Sequence, residues 1–183
     1  MEETMANDTR QRMAEGAALL LAKHGPQGTA FSDVIELTGA PRGSIYHHFP
    51  EGKDQLLDAA LDVAGARALA VLESLAGKPP REVAAGFIDV WRSVLTRSGY
   101  EAGCAVVAVT VSNSSEPLVE HAASVFRSWR SRLAELLADG GVADAHRHAA
   151  LLIAACEGAV VIARAERSMQ PFELTAEGLL AQY

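Results

Sequence analysis

Apolar residues recur at intervals of three and four along most of this chain, and that spacing is helical. In residues 8–24, "DTRQRMAEGAALLLAKH", Met13, Ala17, Leu20, Leu21 and His24 share a face. Asp8 and Gln11 fit a capping box at its start, and Gly25 a stop at its end. After "GPQG" a short second helix runs to about Leu37, capped by Thr29 or Ser32. Gly39 supplies a permissive backbone for a tight turn. Pro41 suits the first position of a third helix, since its missing N–H would be unbonded there. Pro50 ends that helix near His48, because it disfavours helical geometry at Phe49.

The pattern continues as one long helix from about Glu51 to Ala76, broken by "KPP", and another from about Arg81 to Arg97. "CAVVAVTV" reads equally as buried strand or buried helix. It has no partner strand, so helix is the consistent choice. Pro117 begins a helix that Ser115 could cap, with Leu118, Ala122, Val125, Trp129, Leu133 and Leu136 at helical spacing. Residues 143–168 and 172–182 complete an all-α chain of about nine helices. Alanine, valine and leucine lie on more than one side of these last two, so something beyond their own domain should cover them.

Composition agrees with an aliphatic helical core: 49% of residues are hydrophobic and 5% aromatic. Cys104 and Cys156 stand in apolar surroundings as small buried hydrophobes, and a reducing cytoplasm is expected. No stretch reaches the roughly 20 uninterrupted apolar residues that would span a bilayer, so no membrane partner is expected. "HRH" at His146–His148 points its two imidazoles to different sides of a helix, which favours a solvated face over a metal site. No cofactor is called for. The motifs of nucleophile elbows, phosphate loops and zinc hydrolases are absent, which argues against an enzyme.

The net charge is −7. Residues 1–56 themselves carry five Lys/Arg against eight Asp/Glu. Bulk attraction to nucleic acid is excluded, yet "GAPRGSIYHHF" (39–49) gathers polar and basic side chains on one short helix. Two short helices joined by a glycine-containing turn form a helix-turn-helix, whose second helix enters the major groove of DNA. Arg42 can reach a guanine edge or a phosphate, Gly43 permits close backbone approach, and Ser44 can bond either. Tyr46 and His47 can donate to phosphates, and Lys53 adds a cation. Thr29 and Ser32, before and in the second helix, complete the candidate DNA contacts. Ile45 and Phe49 read as core. His48 reads equally as a contact or as a brace for the long helix.

"TAFSDVIELTGAPRGSIYHHFPEGKDQLL" (29–57) resembles the TetR family of bacterial one-component repressors. The resemblance is carried by Gly39, Gly43, Tyr46, His48, Phe49, Lys53, Leu56 and Leu57 in that order. "GCAVVAV" (103–109) resembles the LmrA/YxaF-like branch. Pro41 departs from a frequent serine and gives up a capping bond.

The resemblance implies a DNA-binding domain over 1–56 and an effector-binding and dimerisation domain over 57–183. It implies a homodimer on palindromic double-stranded operator DNA, released by a small apolar effector. Phe87, Trp91, Cys104, Val107, Val111, Phe126 and Trp129 are the candidate pocket lining. The competing reading is an all-helical small-molecule-binding protein with no DNA role.

Overall fold

The computed structural model describes residues 2–183, with side chains described from Asp8 onward. The described residues contain nine helices and no strand. They are α1 (Glu2–His24), α2 (Phe31–Thr38), α3 (Arg42–His48), α4 (Lys53–Ser74), α5 (Pro80–Ser98), α6 (Ala105–Thr110), α7 (Glu116–Asp139), α8 (Ala145–Glu166) and α9 (Gln170–Leu180). The chain folds as two compact units. Unit 1 holds 1–65 and 104–125, and unit 2 holds 66–103 and 126–183. The chain passes from one unit to the other within both α4 and α7.

In unit 1, α1 packs against α2, α3 and α6. Met13, Ala17, Leu21, Val34, Ile45, Phe49, Leu56 and Leu61 are buried together as its core. Gly16 lets α1 and α2 approach closely: a Cβ there would lie 2.7 Å from Thr38 Cγ2. On α7, His121 sits between two α4 carboxylates, with Nδ1 2.5 Å from Asp58 and Nε2 3.2 Å from Asp62.

Four local expectations are corrected. α1 begins at Glu2, because nothing in "EETMAN" interrupts a helix. Asp8 is therefore mid-helix, paired with Arg12 at 3.3 Å, while Gln11 bonds Glu15, so no capping box forms. Neither Thr29 nor Ser32 caps α2. Ala30 holds that position, and its N–H donates back to the Asp33 carboxylate at 3.4 Å. Ser115 does not cap α7, since its buried hydroxyl finds no partner; only its carbonyl is used, by the Val119 N–H. The "CAVVAVTV" segment is helical as α6, with Cys104 Sγ accepting the Val107 N–H at its start.

Unit 2 packs α5 against α8 and α9, and α8 against α9. Phe87, Trp91, Trp129 and Phe126 run edge to face, with successive ring centroids 6.4, 6.2 and 5.6 Å apart. Arg92 forks onto Glu173 at 2.7 and 2.8 Å over the Phe172 ring. Arg164 is half-buried on α8. It donates to the carbonyls of Tyr100 and Glu101 and fastens the loop after α5. α8 is long and apolar enough to cross a membrane by length and composition, but within its unit it is packed along one side by α5 and α9.

Candidate nucleic-acid interface

The turn between α2 and α3 follows from three adjacent residues. Gly39 adopts φ 65, a left-handed conformation that costs glycine little, and its N–H closes on the Ile35 carbonyl. Ala40 is buried beneath the turn. Pro41, at φ −60 and ψ 133, leads into α3 as the residue just before the first helical one, one position earlier than expected. It brings no side-chain cap, and the α3 N-terminus is served instead by the Ser44 N–H and hydroxyl, both donating to the Pro41 carbonyl.

α3 has two faces. Ile45 and Phe49 are fully buried and pin the helix to the core of unit 1. Arg42, Gly43, Tyr46 and His47 are exposed, with Ser44 half-buried. Four of the expected contacts are thus open to solvent on a seven-residue helix. Such a helix is roughly 10 Å long, and the major groove is about 12 Å wide.

The other three candidates sit differently. Ser32 is exposed, and its hydroxyl donates to Asp33 at 3.1 Å. Lys53 is half-buried, with Nζ 3.5 Å from the Gln27 carbonyl. Thr29 is fully buried and its hydroxyl donates to the Gly25 carbonyl at 2.8 Å. Its expected contact with DNA is corrected to closure of the α1–α2 loop, where the hydroxyl satisfies a carbonyl at the end of α1.

Two residues that the sequence did not single out support the α3 surface. Phe31 meets the Tyr46 ring edge to face, centroids 5.6 Å apart. Arg10 lies over the Phe49 ring at 5.3 Å. Neither follows the motif, because each acts across an interhelical gap that linear spacing does not encode.

His48 is half-buried beside His47, their rings 5.3 Å apart. Burial first, then the charges of His47 and Arg10, hold its imidazole below its ordinary pKa of 6.5. The unfolded chain therefore takes up this proton first as pH falls. The contribution to stability is complete above about pH 6.5 and is lost as pH drops through the folded value. Replacing His48 by Gln is expected to flatten the fall in stability below pH 6.5. Urea denaturation at several pH values measures this, and an unchanged slope contradicts it.

The candidate pocket residues divide between the units. Phe87, Trp91, Phe126 and Trp129 belong to unit 2, all but Phe126 buried. Cys104 and Val107 belong to unit 1. Val111, also in unit 1, is 77% exposed just beyond α6, so its expected place in an interior lining is corrected to the surface. Burial pushes the Cys156 thiol up to about 12, which leaves it inert as a nucleophile.

A family model described as bacterial regulatory proteins, tetR family, matches residues 14–60. A second, the C-terminal domain of LmrA/YxaF-like transcriptional regulators, matches residues 80–178. An uncharacterized HTH-type transcriptional regulator of Mycobacterium tuberculosis is 39% identical over 174 residues, covering 90% of this chain and 89% of that protein. The HTH-type transcriptional regulator LmrA of Bacillus subtilis is 40% identical over 55 residues, 30% of this chain and 29% of that one. A TetR transcriptional regulator from Chloroflexus aurantiacus superposes with a TM-score of 0.81 at 33% identity, covering 97% of this chain and 95% of that one. With a helix-turn-helix whose second helix is exposed along one face, and with matches over both halves, the chain belongs to the TetR family of bacterial transcriptional regulators, in its LmrA/YxaF-like branch.

Proposed function

We propose that this regulator is a cytoplasmic homodimeric repressor that binds a palindromic operator and is released by a small, mostly apolar effector. The observation that carries the reading is the joint exposure of Arg42, Gly43, Tyr46 and His47 on α3, while Ile45 and Phe49 are buried and hold the helix to the core. Arg42 supplies the base reading, and Tyr46 and His47 the phosphate contacts that orient the helix. Ser32, Ser44 and Lys53 lie on or beside the same helix pair and add polar contacts.

In this reading residues 1–56 meet DNA and residues 57–183 hold the effector and the second subunit. The aromatic row of Phe87, Trp91, Trp129 and Phe126 supports an apolar effector, since few ionisable groups stand among them. α4 starts at Lys53, beside the proposed DNA face, and continues unbroken to Ser74. A continuous helix of that kind would carry a displacement from effector to reading head. Ligand and operator must then oppose each other by the same factor.

The test is selection of bound duplexes from a random pool. A recovered palindrome with half-sites about one helical turn apart, or a multiple of it, is the expected result. Because acidic residues outnumber basic ones in 1–56, affinity should fall only modestly with salt. No enrichment, or a steep salt dependence without sequence preference, contradicts the proposal.

A further inference from the structure

We infer that Phe31 is a positioning residue for the DNA contact made by Tyr46. The inference rests on the function just proposed and adds a residue to its contact surface.

Tyr46 is 66% exposed, so most of its ring faces solvent. A phenol so placed would ordinarily sample several rotamers, and fixing one on binding costs affinity. Here the ring is met edge to face by Phe31, at 5.6 Å between centroids and 68° between planes. That geometry suits the opposed charges of ring edge and ring face.

Both backbones beneath the pair are anchored. Ile45, next to Tyr46, is fully buried. Phe31 opens α2, where Val34 is fully buried and Asp33 holds the Ala30 N–H. The pair therefore spans α2 and α3 on the side where Tyr46 emerges. It presets where the phenolic hydroxyl points before DNA arrives. Phe31 has no hydrogen-bonding group of its own to compete for that hydroxyl, which leaves it available to a phosphate oxygen.

The test is a mutant cycle on DNA affinity. The probes are the operator recovered by selection and a random-sequence duplex at low salt. A phosphate contact is blind to sequence, so both should respond. Phe31→Leu keeps the apolar volume and removes the ring. It is expected to weaken binding of both probes by about ten-fold, counting both subunits of a dimer. The same change should be silent in a Tyr46→Ala background and additive with Arg42→Ala. Phe31→Trp should restore most of the loss.

An equal loss from Phe31→Leu whether or not Tyr46 is present would mean that Phe31 acts through the fold at large, and would overturn the inference. So would a silent Phe31→Leu in the parent protein, or a failure of Phe31→Trp to restore binding. Tyr46→Ala binding both probes as the parent does would instead refute the phosphate contact itself, and the positioning role with it. Melting temperature of each variant separates a lost fold from a lost contact.

Discussion

Val161→Glu is expected to convert the protein to a monomer and to weaken operator binding by at least 100-fold. The reason lies on the outward side of α8. Leu151, Val161 and Ile162 are 47%, 55% and 48% exposed, and Ala154, Gly158 and Ala165 are exposed between and beyond them. On α9, Leu174 is 62% exposed. A Cβ placed at Gly158 or Gly178 would meet nothing within 4 Å, so both leave room for another backbone to come close. Within the span of this stripe Glu157 and Arg164 are half-buried, with Arg164 committed to the loop carbonyls, and the exposed charges Arg147 and Glu166 stand at its two ends. A run of exposed aliphatic side chains at helical spacing marks an interaction surface. A two-fold partner would cover it with the same surface on a second copy.

A glutamate at position 161 would enter that interface twice, once from each subunit, without a partner of opposite charge. An unpaired buried charge costs roughly 3–5 kcal/mol, which exceeds what a modest interface can spare. Separated subunits would then bind half-sites independently, and the gain of about 10²–10⁴ from linking two reading heads would disappear. Sedimentation and operator titration measure the two effects. A variant that remains dimeric with unchanged operator affinity would remove α8 from the interface.

The legibility of this chain varies with the range of the interaction. Gly39 and Pro41 act on their own backbone and Pro50 on that of the residue before it, and the turn and α3 follow from them to within a residue. The apolar excess of residues 143–168 and 172–182 was legible for the same reason, since helical periodicity alone puts valine and leucine on a second face. Position along the chain misled where a polar side chain had two possible uses. Thr29 has the chemistry of a cap or a contact, yet its hydroxyl turns back to Gly25 and leaves no surface. Ser115 stands beside the first turn of α7 but does not cap it. Val111 belongs to an apolar run, yet α6 ends at Thr110 and sets it outside. Phe31 and Arg10 were invisible because their partners, Tyr46 and Phe49, lie on another helix.

Arg42→Ala is expected to cost about 1–3 kcal/mol at each half-site, and so roughly 30- to 20,000-fold on a palindromic operator read by two subunits. Arg42 is the first residue of α3, exposed, and one helical turn before Tyr46. Its five N–H donors in a planar fork match the paired acceptors of a guanine edge. The loss should therefore be uneven. Preference at one base pair in each half-site should relax, while binding to random duplex falls much less. Arg42→Lys separates the two contributions, since lysine keeps the charge and gives up the fork. It should bind random duplex as the parent does and still lose the base preference. Thermal stability should change little, because an exposed side chain away from the core contributes within about 0.5 kcal/mol. Binding curves on the selected operator and on the same duplex with that base pair exchanged provide the measurement. If Arg42→Ala weakened both duplexes equally, Arg42 would be a phosphate contact, and base reading would have to come from Ser44 or from the backbone exposed at Gly43. That outcome would carry a further signature. The salt dependence would fall by about one phosphate per subunit. In a chain whose first 56 residues hold five basic side chains, so large a share of the total would be easy to detect.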